Sequence, residues 1–194
     1  MKKAVVRLVI TGNPGVGKHT SAQIVARELK AEIIDINRVA LDNGAVLEKT
    51  GKGIEIDTKK ASKIVASMLN KKKKSSFVIV GHLAPYVVKP AGIDMVAVLR
   101  RSPRKLEESL LERKYIQEKI NENVSAEILG ISLYDSIKAF GKRKVAEFDT
   151  SGKTPEQTAE EIVATVQKEK PRRSGSVDWL AVISEEEVQR YFAY

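Results

Sequence analysis

Nine residues near the start of the chain, Gly12-Asn13-Pro14-Gly15-Val16-Gly17-Lys18-His19-Thr20, combine three glycines, a lysine and a closing hydroxyl at a spacing suited to holding phosphate. Glycines let successive backbone N–H groups turn toward one point. The helix that follows adds the positive end of its dipole, and the lysine reaches the outer oxygens of a polyphosphate. One position departs from the general pattern: directly after Lys18, where a Ser or Thr ordinarily meets magnesium, stands His19, and the hydroxyl comes one place later at Thr20. A glycine turn without function is the competing reading. Spacing, lysine and flanking pattern together favour phosphate.

Such a loop needs a strand before it and a helix after it. Ala4 to Ile10 is an almost wholly apolar, β-branched run, as expected of a central strand buried on both faces, and Ala22, Val25, Ala26 and Leu29 then recur at helical spacing. Further strands are predicted at Glu32 to Ile36, Phe77 to Val80, Ile93 to Leu99 and Val145 to Phe148. Helices are predicted over Thr58 to Leu69, from Ser102-Pro103 onward, over Asn121 to Phe140 with Gly130 as a weak point, and from the capping box Thr154-Pro155-Glu156-Gln157. This alternation predicts an α/β fold: a P-loop three-layer sandwich around a five-stranded parallel sheet. Asn37 to Ile56 is too long for an ordinary connection and reads as a small mobile insertion.

The chain has 194 residues, 34 Lys+Arg against 25 Asp+Glu for a net charge of +9, and no cysteine. That size accommodates one domain, and the cysteine count excludes disulfide scaffolds, thiolate catalysis and zinc ribbons. No run is long and apolar enough to span a bilayer, so a cytoplasmic protein without a membrane partner is expected. The excess positive charge is compatible with phosphate-bearing small molecules, with nucleic acid, or with neither. Part of it lies in Arg100 to Lys119, seven basic residues against four acidic. Arg100 and Arg113 are the candidates there for phosphate clamps, because guanidinium groups grip phosphate oxygens bidentately. For Arg113 the alternative is a solvated helix face paired with Glu107, Glu108 and Glu112. Four aromatics in the last eighteen residues, Trp179, Tyr191, Phe192 and Tyr194, suggest docking on something.

The displaced hydroxyl at Thr20 resembles the loop of adenylate kinases. Four segments sharpen the likeness: Thr11 to Thr20; Val98-Leu-Arg-Arg-Ser-Pro103; Glu112-Arg-Lys-Tyr115 with Glu122 to Ile128; and Asp149-Thr-Ser-Gly-Lys-Thr-Pro155. Together they resemble the CINAP-type adenylate kinases of archaea and eukaryotes, which are implicated in maturation of the small ribosomal subunit. The resemblance covers about residues 4 to 168. It implies a nucleotide kinase domain over 1–168, with a nucleoside-monophosphate-binding insertion at 37–70, a short lid at 100–120, and a tail at 169–194. It implies ATP held by Gly12 to Thr20, with Lys153 in the loop that passes the adenine, and Mg²⁺ as cofactor near Thr20. His82 ends the third sheet strand, where many P-loop enzymes carry a magnesium-directing Asp; the resemblance places a His there facing the nucleotide, against an ordinary structural histidine. Asp35 is the nearest carboxylate for magnesium, or a strand-end cap. Arg38 either holds the monophosphate or lies on the surface, and Asp57 is either in that site or an N-cap.

Three functions follow. The first is transfer of the ATP γ-phosphoryl group to AMP or a similar monophosphate, with weaker ATP hydrolysis. The second is an ATP-gated assembly factor that binds a small-subunit ribosomal protein or rRNA, suggested also by the runs Lys71 to Lys74 and Lys168 to Arg173. The third is a P-loop kinase of another small molecule. A GTPase is disfavoured, since Asn70-Lys-Lys-Lys73 lacks the guanine-reading Asp and Asp149-Thr-Ser-Gly152 is on the wrong strand.

Overall fold

A computed structural model describes residues 5–50, 53–72 and 74–192. Its core is a five-stranded parallel sheet in the order β2-β5-β1-β6-β7. These strands are Arg7–Thr11 (β1), Glu32–Asp35 (β2), Phe77–Val80 (β5), Met95–Arg100 (β6) and Val145–Asp149 (β7). The central strand β1 pairs with β5 through Val9↔Ile79 and with β6 through Val9↔Val96, so an unbroken apolar run ends at the phosphate loop with neighbours on both sides. The expected first strand begins three residues later than its pattern suggested, at Arg7, and runs on through Thr11.

Two helical layers cover the sheet. One core cluster joins Leu8, Ile10 and Leu99 to helices α1 (Lys18–Leu29), α5 (Pro103–Glu112), α6 (Gln117–Ile128) and α8 (Pro155–Val166). The other joins Val9, Ile79 and Val96 to α2 (Ile36–Asp42), α3 (Thr58–Lys71), α4 (Ala84–Val87) and α7 (Ile131–Phe140). The helix expected over Asn121 to Phe140 is two helices. Gly130 adopts φ 66°, in the left-handed region, and serves as the N-cap residue of α7. The capping box on α8 is present with both of its hydrogen bonds, Gln157 N to Thr154 Oγ1 at 3.2 Å and Thr154 N to the Gln157 side chain at 2.9 Å.

The segment after β2, read as a small insertion, has secondary structure of its own. It contains α2 and an antiparallel hairpin, β3 (Val46–Thr50) with β4 (Gly53–Ile56). Part of the Lys71 to Lys74 run, part of the hairpin turn and Tyr194 lie outside the described residues. The aromatic tail docks on the chain itself: Trp179 and Tyr191 are buried in the first core cluster, and α9 (Glu185–Phe192) packs against α6. Among the described residues no helix is long and apolar enough to cross a membrane.

Candidate functional site

The phosphate loop leaves β1 at Gly12, whose φ of 140° and surroundings admit no side chain, since a Cβ would sit 2.4 Å from the Leu99 carbonyl oxygen. At Gly17 the reason differs: φ is 89° and the space beside it is open, which leaves room for a ligand. Lys18, the first residue of α1, is 6% exposed and donates from Nζ to the Asn13 carbonyl at 3.2 Å, folding back beneath the loop. Burial, helped by the positive charge of Arg113 and opposed by Asp35, lowers its pKa to about 8. Arg113 is exposed at the C-cap of α5.

His19 and Asp35 meet across the mouth of the loop, with Nε2 3.0 Å from Oδ2. Asp35 caps α2, its Oδ1 accepting from Asn37 N at 2.9 Å and Arg38 N at 3.1 Å. The His19 hydrogen bond above all, with these two backbone donors, holds the Asp35 carboxyl below its ordinary range against the effect of burial. Thr20, the third residue of α1, is exposed. His82 opens onto the same region. Its ring is partly solvent-exposed, yet desolvation by the surrounding chain, then the charges of Lys18 and His19, lower its pKa to about 4, which makes it a neutral imidazole at pH 7.

Two clefts of about 440 Å³ each flank the loop. One lies between α1, β2 and α2 and includes His19, Gln23, Asp35 and Arg38. The other includes Asn13, His82, Tyr86, Tyr115 and Ser132. Arg38 lines the first cleft as an 83% exposed side chain, 3.6 Å from Asp42 one turn along. Asp57 is the N-cap of α3, accepting from Lys60 N at 2.9 Å.

Arg100 requires a correction. Instead of reaching out as a clamp, its guanidinium is 2% exposed and fully committed: Nε donates to Glu127 Oε1 at 2.5 Å, Nη1 to Glu147 Oε1 at 2.6 Å, and Nη2 to the Glu127 carbonyl at 2.7 Å. Two buried carboxylates hold the cation more firmly than an incoming ligand could repay, since freeing it would strand both charges. The signal was present in the sequence: Glu127 and Glu147 each stand inside an apolar run, where an acid needs a cation. Lys153 also points elsewhere, pairing with Glu161 at 2.7 Å and lining a separate cavity beside the tail. Its loop nevertheless touches the phosphate loop, with Thr150 Oγ1 donating to the Arg100 carbonyl at 2.9 Å and lying 3.3 Å from the Val16 carbonyl.

Part of the segment expected as a lid is held by the tail at Arg104 and Glu107. Tyr191 OH donates to Glu107 Oε2 at 2.7 Å, Arg190 pairs with the same carboxylate, and Arg104 Nε pairs with Glu187 at 2.6 Å, so α9 straps α5 down. Between α5 and α6 only the short stretch from Arg113 to Ile116 lacks helical structure.

No group of three or more His, Asp or Glu among the described residues is arranged to hold a metal alone. That suits Mg²⁺, which keeps most of its waters and takes one or two protein oxygens besides the phosphates. The exposed Thr20 hydroxyl in α1 and the Asp35 carboxylate, which meets the neighbouring His19, are single oxygens of the kind such a role needs.

A family model described as an AAA domain matches residues 8–130. A protein of Pyrococcus abyssi (strain GE5 / Orsay) named "Putative adenylate kinase" is 38% identical over 178 residues, 92% of this chain and 93% of that one. One of the same name from Methanocaldococcus jannaschii is 33% identical over 190 residues, 97% and 96% of the two chains. Among solved structures, a shikimate kinase from Acinetobacter baumannii superimposes with a TM-score of 0.63 over 88% of this chain and 97% of its own, at 16% identity, a likeness of fold. The chain belongs to this AAA-domain family of P-loop proteins, among relatives that carry the adenylate kinase name in archaea.

Proposed function

We propose, proceeding from that membership, that the protein is a magnesium-dependent nucleoside-monophosphate kinase transferring the γ-phosphoryl group of ATP to AMP or a similar acceptor. The observation that carries this reading is a phosphate loop flanked by two clefts of equal size, because the reaction must hold two nucleotides with their phosphates meeting at one point. In this reading Gly12 to Thr20 hold the ATP phosphates, and Lys18 neutralises charge on the group in transit. Arg113, left open where Arg100 is not, would stabilise charge on that group. Neutral His82 faces the same point as a hydrogen-bonding group. Arg38 reaches for the acceptor phosphate, while Asp57 acts through its helix cap. Mg²⁺, held by Thr20 and through water by Asp35, would supply charge neutralisation between donor phosphates.

The decisive assay follows ADP formation from Mg-ATP with and without each nucleoside monophosphate. AMP-dependent ADP formation that vanishes in Lys18→Ala is the expected result. Slow ATP hydrolysis indifferent to every monophosphate would sink the reading.

A second reading, an ATP-gated factor in small-subunit maturation that contacts a ribosomal protein or rRNA in the manner of CINAP-type proteins, is favoured by one observation. Lys142, Arg143, Arg172 and Arg173 line an open surface basin with no acid among its lining residues. Its test is stimulation of the ATPase by ribosomal protein or RNA.

A further inference from the structure

The phosphate loop is braced from behind by a carboxylate whose geometry is set by the tail. Glu127 is completely buried. Its Oε1 accepts from Arg100 Nε at 2.5 Å, Trp179 Nε1 at 3.0 Å and Arg101 N at 3.2 Å. Its Oε2 is thereby aimed at the loop, where it accepts from Asn13 Nδ2 at 2.7 Å. The other end of that amide is also fixed, Asn13 Oδ1 accepting from Ser132 Oγ at 3.0 Å, while the Asn13 carbonyl receives Lys18 Nζ. Asn13 thus joins the brace to the lysine.

The tail that brings Trp179 is itself anchored. Glu147, the second partner of Arg100, offers Oε2 to the backbone N–H groups of Gly175, Ser176 and Val177 at 2.9, 2.8 and 3.2 Å. The downstream end is held by α9 on α5. From tail backbone to Glu147, Arg100, Glu127 and Asn13, each link is a direct hydrogen bond, part-buried at the tail and buried from Glu147 inward, and each carboxylate has a donor on both oxygens. Such a network has one low-energy arrangement, so loosening one end displaces the other.

We propose that the C-terminal segment from Gly175 to Phe192 is a positioning element for the phosphate loop, with Trp179 and Glu127 as positioning residues that orient Asn13 and, through its carbonyl, Lys18. The inference rests on the reading of this loop as the ATP site. Trp179 is the single tryptophan of the chain, so the network carries its own optical probe.

The test uses the full chain. ATP with Mg²⁺ is titrated into wild type and Trp179→Phe by calorimetry, and Trp179 emission is followed in wild type and in Asn13→Ala. The Phe variant keeps a buried aromatic ring but loses the pyrrole half of the indole together with its N–H. It should melt within a few degrees of wild type, yet bind ATP about fivefold more weakly and show a raised KM for ATP at nearly unchanged kcat. Wild-type emission should change saturably with ATP, and Asn13→Ala, which cuts the link between Glu127 and the loop, should abolish that change at ATP concentrations that calorimetry shows to be saturating for the variant. Equal ATP affinity in wild type and Trp179→Phe, with Trp179 emission unmoved at saturation, overturns the proposal and leaves the ATP site standing. A wild type that binds no ATP overturns both. If Trp179→Phe is badly destabilised, the wild-type emission titration decides alone.

Discussion

Behind the phosphate loop, Arg100, Glu127, Glu147 and Trp179 form a dry cluster in which every charge meets an opposite one. In front of it, His19, Thr20, Arg38 and Arg113 stand open to solvent, and His19 with Asp35 makes an ion pair only when the imidazole is protonated. Both sides are rich in charge, and the rear reaches the same loop through the Glu127–Asn13 hydrogen bond. The difference is what completes them. The rear is complete without a ligand and can only hold shape, whereas the front leaves cations and a neutral imidazole facing clefts and is finished by whatever enters. Of two arginines in one basic stretch, burial thus gives Arg100 to structure and exposure leaves Arg113 open to a ligand.

The sharpest way to break this comparison is to remove the one group that belongs to both sides. Lys18→Ala should keep the fold and reduce phosphoryl transfer by roughly a thousandfold, since it deletes a preorganised charge at the point of transfer. Steady-state turnover with a matched melting curve checks it. Next come the two arginines. Arg100→Ala leaves two buried carboxylates without their cation and should cost about 3–5 kcal/mol, lowering the melting temperature by roughly 10 °C or more. Arg113→Ala should leave melting unchanged and lower kcat by about a hundredfold. Calorimetric melting beside kinetics on both variants separates them, and a thermally silent Arg100→Ala would erase the distinction between rear and front.

These two arginines also show where the sequence stops being legible. The loop, the central strand and the order of elements are local patterns, and Phe77–Val80 and the α8 capping box stand where period and turn chemistry placed them. Arg100 looked like a clamp because its partners are 27 and 47 residues away, and only the fold brings them together. The break at Gly130 was visible as a weak point, but whether a glycine is tolerated or ends a helix depends on its φ, which packing decides. The tail aromatics pointed to docking without saying on what. Their target is a surface made by α5 and α6, which no local pattern describes. His19 opposite Asp35 is likewise a meeting between the first turn of α1 and the end of β2.

A smaller effect comes from pH. Because burial lowers Lys18 to about 8 in the folded protein from an ordinary 10.5, the unfolded chain binds the extra proton between those values. Lys18 therefore subtracts stability below about pH 8, and that penalty fades as pH rises toward 10.5. Nucleotide binding runs the other way, since phosphate needs the ammonium form. The kcat/KM for ATP should fall above pH 8 while thermal stability attributable to this group rises, and Lys18→Arg should move the kinetic limb to higher pH. A kcat/KM flat to pH 10 would show that Lys18 is not the titrating group at the front.

The smallest expected change tests whether the front is finished by a metal as well as by phosphate. Asp35→Asn keeps a good N-cap for α2, because an amide oxygen can accept from Asn37 N and Arg38 N, so stability at pH 7 should fall by under about 1 kcal/mol. The folded Asp35 carboxyl lies below its ordinary 3.8, so its contribution is present above that pH and lost as pH falls through the folded value. The variant and wild type should accordingly converge in melting temperature on acidification. What the amide cannot replace is charge. If the carboxylate orders the waters of Mg²⁺, the concentration of Mg²⁺ for half-maximal turnover should rise by about tenfold, with ATP affinity in the absence of the metal unchanged. A magnesium titration identical in the two proteins would reduce Asp35 to the cap of α2 and the partner of His19, and would move it from the open side of the comparison to the structural one.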